Sequence, residues 1–273
     1  MNELLVKGIV NLKSEFSKKY AGHSHLNEVL PLSSSELLSI HENDLKMLHA
    51  FAEKNPVYTN SIDVDFLGIP CRIYEGDINQ YWLDSIKHDT SYAPFYPTWI
   101  LSAYVLSLTA KNLGFQEIID IGSGDGRISY CASVIGVRSY GIEIDENLVN
   151  LQKKISTNTN VNFNPINADA TTFEYDSLTL TKPALFLSGL PEVGEMLANS
   201  VINKIMISNL KTSSGFIFAG SHKLRKNSRD NTKWGWGKII SNFGLNVIET
   251  MTLPTRWTVD QPIDTPYIFT IPN

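Results

Sequence analysis

Asp120, Gly122, Gly124, Asp125, Gly126 and Arg127 stand together in the run Asp-Ile-Gly-Ser-Gly-Asp-Gly-Arg, and Glu143 follows 21 positions after Gly122. Glycine accepts positive φ and carries no Cβ, so this backbone can turn sharply and let a ligand approach closely. A helix starting at Arg127 would present unpaired N–H groups that favour a carboxylate or phosphate. Dinucleotide-binding turns usually read G-x-G-x-x-G. Here the spacing is G-x-G-x-G, with Asp120 before the turn and Asp125 inside it. Two extra negative charges oppose a pyrophosphate and suit a ligand that carries positive charge. An acid at the position of Glu143, ending the next strand, can accept hydrogen bonds from both hydroxyls of a ribose.

These residues need particular elements to hold them. Ile118-Ile119-Asp120-Ile121 is a short apolar run of the kind that forms a strand buried on both faces. A helix is expected from Arg127 to about Ile135, ended by Gly136, and a second strand from Ser139 to Ile144. Strand, glycine turn, helix, strand and acid make one nucleotide-type half of a parallel sheet. A turn that binds nothing is the alternative, but it does not account for all five parts falling in place.

The run from Asp120 to Arg127, followed by Gly141-Ile-Glu-Ile-Asp145, resembles motif I and the segment after it in the class I S-adenosylmethionine-dependent methyltransferases. Within that superfamily it looks most like the non-SET protein lysine methyltransferases of archaea and their mitochondrial relatives. The resemblance implies an α/β fold with a seven-stranded doubly wound sheet, and S-adenosyl-L-methionine as cofactor. It implies cofactor contacts at Tyr92, Asp120, Gly122, Ser123, Gly124, Glu143, Ile144, Ala168, Asp169, Ala170 and Ser188. Asp120 would hold the methionine ammonium, directly or through water; Glu143 would bind ribose and Asp169 the adenine amino group. Tyr92-Ala-Pro-Phe-Tyr-Pro-Thr98 resembles the Y-x-P-[ST] segment that closes over the methionine end of the cofactor in relatives, with ordinary aromatic packing as the alternative.

Relatives that methylate adenine N6 or glutamine usually carry a [DNS]-P-P-[YF] loop, whereas Ser188-Gly189-Leu190-Pro191 lacks the proline pair and the aromatic residue. With the resemblance to the lysine methyltransferase group, this implies protein lysine as the first expectation. A small-molecule or RNA acceptor is the second, and a catalytically silent cofactor-binding module the third. No general base is singled out: Tyr92, Tyr96, Glu192 and His222 all fall on expected rim loops. The basic stretch 222–233 could meet an acidic substrate or phosphates, with a solvated loop as the first expectation; nucleic acid is expected only there, if at all.

The remaining chain is expected to supply the scaffold. Residues 1–54 read as helices, the first carrying Leu4, Leu5, Ile9, Leu12 and Phe16, the second starting at Ser33-Ser34-Ser35-Glu36 after a connector. Alternation from Tyr58 to Tyr74 gives a β-hairpin around Leu67-Gly68, with Pro70 marking an edge strand. Residues 1–90 form an accessory region and 91–273 the cofactor-binding domain. A buried helix spans Trp99 to Leu113, and a second follows from Asn147 to Ile155. Further strands include Val161, Phe163 and Ile166, then Ala184–Leu187 and Gly215–Ala219. A helix runs over 193–210 with Met196, Leu197, Val201, Ile205 and Met206 inward, and another reaches Phe243. The closing strands are Leu245–Leu253 and Tyr267–Ile271, with Trp257 in the loop between them.

Composition sets the outer limits. The chain is 42% hydrophobic, enough for a large core, and its net charge of −5 argues against broad nucleic-acid binding. Cys71 and Cys131 have no metal-ligand spacing, and His23 and His25 find no third ligand nearby. No run reaches the ~20 apolar residues of a membrane span, and the N-terminus is not a signal peptide. A reducing cytoplasm is the default location.

Overall fold

The computed structural model describes residues 3–22, 24, 26–79, 81, 95–187, 189, 191–220, 235–254 and 264–273. The chain opens with α1 (Glu3–Lys19), which buries Leu5, Ile9, Leu12 and Phe16 as their helical spacing predicts. The expected connector holds a strand instead: β1 (Leu26–Pro31) is buried at all six residues. Asn27, Glu28 and Pro31 interrupt its apolar pattern, so neither alternation nor a hydrophobic run announces it. The second helix also starts later than the serines suggest. Ser35 Oγ accepts from the Leu38 amide at 3.1 Å, a local bond that competes with helix. The actual helix, α2 (Glu42–Lys54), is capped by His41, whose side chain accepts from the Asn43 amide.

The expected hairpin is present as β2 (Tyr58–Phe66) and β3 (Ile69–Gly76). It turns at Leu67 and Gly68, with φ of 59° and 78°, as a two-residue turn matched to strand twist requires. With β1 the hairpin forms a three-stranded antiparallel sheet of order β1-β3-β2. Pro70 thus lies in the central strand, a correction to the expected edge. It is tolerated because pairing with β1 ends at Pro31–Cys71. The Pro70 carbonyl accepts from the Leu32 amide, so the missing N–H faces the same side, past the end of β1.

The large sheet follows the expected plan. After α3 (Ile100–Asn112), buried on nearly every side, come β4 (Glu117–Ile121), α4 (Arg127–Val134), β5 (Arg138–Glu143), α5 (Glu146–Thr159) and β6 (Asn164–Asn167). The second half is β7 (Pro183–Leu187), α6 (Pro191–Ile207), β8 (Gly215–Ala219), α7 (Gly235–Asn242), β9 (Leu245–Pro254) and β10 (Asp264–Pro272). Strand order is β6-β5-β4-β7-β8-β10-β9. All neighbours are parallel except β10, which runs antiparallel to both β8 and β9. The order reverses between β4 and β7, which opens a crevice at their carboxyl ends.

Three local expectations change. β6 is shorter than predicted, with Val161 and Phe163 buried ahead of it rather than within it. The inward stripe of α6 is Ala198, Val201, Ile202 and Ile205, while Met196 is 69% exposed on the opposite side of the helix. Glu192 belongs to the first turn of α6, not to a loop. Alternate strand residues face two cores. Ile118, Phe186 and Ile217 join one that runs without a break through α1, α2 and β1 to β3. Ile119, Leu185 and Phe218 join the other, against α6 and α7. Among the described residues no helix is long and apolar enough to cross a membrane. The expected division near residue 90, His23, His25, the basic stretch 222–233 and Trp257 lie outside the described residues.

Candidate functional site

The glycine turn leaves β4 and is anchored to β5. The amides of Gly122 and Ser123 both donate to the Ile142 carbonyl, at 2.9 and 3.2 Å. Gly122 has φ 69°, is exposed, and nothing lies within 4 Å of where a Cβ would sit. That open position is where a ligand can meet bare backbone. Gly124 differs: the Phe95 ring occupies the space of its missing Cβ, only 2.7 Å from the ideal Cβ position. Gln152, from α5, holds the turn from below, its Nε2 donating to Ser123 Oγ at 2.9 Å and to the Gly124 carbonyl at 2.8 Å.

Glu143 ends β5 and is tied to the same turn. Its Oε2 accepts from the Gly124 amide at 2.8 Å and its Oε1 from the Asp145 amide at 3.0 Å. Each oxygen keeps acceptor capacity for a further donor. Burial raises the carboxyl above its ordinary range, and the Asp145 and Gly124 amides pull it back.

Asp120 is the least satisfied group in this region. It is 2% exposed, and its Oδ1 has no hydrogen-bond partner among the described residues. Burial pushes its carboxyl well above the usual range; Glu143 and Asp125 add to this and Arg127 opposes it. A buried carboxylate without a partner is costly unless a cation or donor reaches it. Asp125, by contrast, is matched within the protein. Arg127 Nε and Nη2 reach its two oxygens at 2.9 and 2.5 Å, and Asn55 Nδ2 donates at 3.0 Å.

The loop after β6 closes the other side. The Ala168 amide donates to the Glu143 carbonyl at 3.0 Å, and Asn167 Nδ2 donates to the carbonyls of Glu143 and Ile144. Asp169 is half-buried, and its Oδ1 accepts from both the amide and the hydroxyl of Thr171, at 2.8 and 2.7 Å. Ala170 is buried. Asp120, Gly122, Ser123, Gly124 and Glu143 are thus joined strand to strand, with Ile144 and 168–170 in the adjoining loop. Tyr92 and Ser188 lie outside the described residues, as do His222 and Leu190. Tyr96 is 54% exposed.

Sequence reasoning missed Gln152, Phe95 and the ion pairs of Arg127. Arg127 was visible in the motif. Its partner Glu28 could have been suspected as the lone acid among Leu26, Val29 and Leu30, an apolar setting that an acid enters only when paired.

A glycine turn after β4, an acid ending β5, and a reversed last strand inserted between β8 and β9 decide the architecture. The chain has the class I methyltransferase fold. No protein-family model matches it. Over 66 residues it is 38% identical to the mouse protein-lysine methyltransferase METTL21E, a match covering 23% of this chain and 27% of that protein. The chain therefore spans about a quarter of the length of this curated relative. Among solved structures, the Pyrococcus abyssi tRNA (uracil-54, C5)-methyltransferase in complex with S-adenosyl-L-homocysteine is 13% identical at a TM-score of 0.46, covering 65% of this chain and 40% of that one. The Synechocystis magnesium protoporphyrin IX methyltransferase with bound S-adenosylmethionine is 15% identical at a TM-score of 0.45, covering 64% and 78%.

Proposed function

We propose that this protein is an S-adenosylmethionine-dependent methyltransferase and that its acceptor is a protein lysine. The observation that carries the first half is Asp120, a buried carboxylate with an oxygen that has no partner among the described residues, two positions from the exposed, positive-φ Gly122. A ligand offering an ammonium to Asp120 and two hydroxyls to Glu143 answers both acids. The site thereby fits the aminoacyl and ribose parts of S-adenosylmethionine. Asp169, Ala168 and Ala170, held against Glu143 by the Ala168 amide, would border the adenine. The lysine acceptor is supported by the motif from Asp120 to Arg127, by the missing proline-aromatic loop, and by the partial match to a protein-lysine methyltransferase.

Bound there, the cofactor supplies a methyl group on sulfonium, transferred in line to the acceptor nitrogen as the carbon–sulfur bond breaks. The protein's part is to position and desolvate. Asp120 anchors one end of the cofactor, Glu143 fixes the ribose, and Gly122 removes the Cβ that would hold the backbone away. A lysine amine keeps its proton to about pH 10.4, so it must arrive neutral before it can attack.

Transfer of labelled methyl from S-adenosylmethionine into fractionated cell lysate tests the reading. Label appearing on lysine in the protein fraction supports it. Label confined to RNA or metabolites moves the acceptor and keeps the enzyme, and tight cofactor binding without label in any fraction leaves only a binding module.

A further inference from the structure

Arg127, the residue that closes the glycine motif, is buried with two acids from different parts of the chain. Side-chain exposure is 3% for Arg127 and 1% each for Glu28 and Asp125. All five guanidinium N–H groups find acceptors. Nε and Nη2 reach Asp125, Nη1 reaches Glu28 Oε1 at 2.6 Å and the Thr98 carbonyl, and Nη2 also reaches Tyr58 Oη at 3.2 Å. Glu28 is equally committed. Tyr58 Oη donates to its Oε1 at 3.2 Å and the Ile100 amide to its Oε2 at 2.9 Å. Asn55, the C-cap of α2, donates to Asp125 and accepts from the Val57 amide at 3.1 Å.

Asp125 sits in the middle of the glycine turn, one residue from the amide that holds Glu143. Three elements outside the large sheet converge on Asp125 and its partner Arg127: β1 and β2 reach Arg127 through Glu28 and Tyr58, and the end of α2 reaches Asp125 through Asn55. We infer that Glu28 is a positioning residue for the cofactor turn, acting through Arg127 and Asp125, with Asn55 as a second, uncharged brace. Residues 26–58 are on this view part of the cofactor site rather than a cap laid over it. Glu28→Gln leaves a buried Arg127 with one acid and sets an amide N–H against one of the donors that Glu28 now accepts, and buried pairs broken on one side are strongly destabilising. The turn would relax to re-satisfy Arg127, moving Gly124 and with it Glu143. Coupling of this sort is reciprocal, so cofactor binding must also protect β1.

The affinity consequence rests on the methyltransferase reading; the consequence for the turn does not. The test compares Glu28→Gln, Asn55→Ala and a control, Leu48→Ala, which opens the same N-terminal core in α2 without touching these ion pairs. Hydrogen exchange of the peptide spanning 122–127 is followed in the free protein, and S-adenosylhomocysteine affinity by calorimetry, both at pH 8. Glu28→Gln and Asn55→Ala should speed exchange in the turn and weaken S-adenosylhomocysteine by about tenfold. Leu48→Ala should lower the melting temperature with neither effect. Turn exchange that is unchanged in both network variants, or that tracks melting temperature equally in all three, overturns the inference. If Glu28→Gln fails to fold, Asn55→Ala decides by the same two measurements. Wild-type protein that ignores S-adenosylhomocysteine would instead remove the methyltransferase reading, leaving the exchange result to decide on Glu28.

Discussion

Replacing Asp120 by Asn separates stability from binding at one residue. The side chain keeps its shape and loses its charge. In the free protein the charged carboxylate is disfavoured by burial first, then by Glu143 and Asp125. A carboxyl raised in the folded state contributes stability that is complete below its unfolded value of 3.8 and is lost as pH rises through the folded value. Asn removes that loss, so the variant should equal or exceed wild type in melting temperature at pH 8, and the gap should narrow as pH is lowered. Each kcal/mol relieved corresponds to a rise of about 2–4 °C in a chain of this size. Binding should move the other way. A hydrogen bond to a charged group is worth about 1.5–3 kcal/mol, which makes S-adenosylhomocysteine roughly 10- to 150-fold weaker. 5′-Methylthioadenosine, which has no ammonium, should bind both proteins alike. Calorimetry with the two ligands checks this. Equal losses for both, or no loss for either, would refute the assignment of Asp120 to the ammonium.

Glu143→Ala removes the acceptor of the Gly124 and Asp145 amides as well as the proposed ribose contacts, so both S-adenosylhomocysteine and 5′-methylthioadenosine should weaken, by at least about tenfold on calorimetry. Unchanged affinity for either ligand would place the ribose elsewhere. Gly122→Ala meets open space but a φ of 69°, and should cost about 1–2 kcal/mol of stability on denaturant unfolding while blocking the cofactor. Gly124→Ala adds a clash with Phe95 to the same kind of backbone strain, and should unfold at clearly lower denaturant than Gly122→Ala. If lysine is the acceptor, kcat/KM should climb about tenfold per pH unit below the amine's ordinary value near 10.4. A flat profile from pH 7 to 9 argues for an acceptor that needs no deprotonation.

The half of the sheet that carries the glycine turn was legible because its signals are local. A buried parallel strand reads as an apolar run, positive φ reads as glycine, and the acid at the end of the next strand follows at a fixed remove. These cues predict Asp120 in β4, Gly122 in the turn after it and Glu143 at the end of β5, where the fold has them. What escaped depends on contacts distant in sequence. β1 contains Asn27, Glu28 and Pro31, which on propensity alone speak against a buried strand. They are admitted because the Asn27 carbonyl takes the Trp99 indole N–H at 3.0 Å and Glu28 takes Arg127 from 99 residues away. Ser33 to Glu36 imitate a helix start, but Ser35 spends its hydroxyl on a turn and the cap falls to His41. Met196 fits a loose apolar count along α6 and yet stands at the wrong angle for the stripe set by Ala198 and Ile202.

Charge placement links these two kinds of evidence. Three acids surround the turn, and the sequence sets Asp120 and Asp125 alike as charge suited to a cationic ligand and Glu143 as a ribose acceptor. In the fold they divide by partner. Asp125 is matched inside the protein by Arg127 and Asn55, and Glu143 is half-matched by two backbone amides. Asp120 alone keeps an oxygen with no partner among the described residues. Arg127, while pairing with Asp125, also offsets part of the cost of a charged Asp120. An unpaired buried acid is useful only if its eventual partner arrives from outside, and the residue that makes this arrangement affordable, Glu28 through Arg127, comes from a strand that the glycine motif gives no hint of.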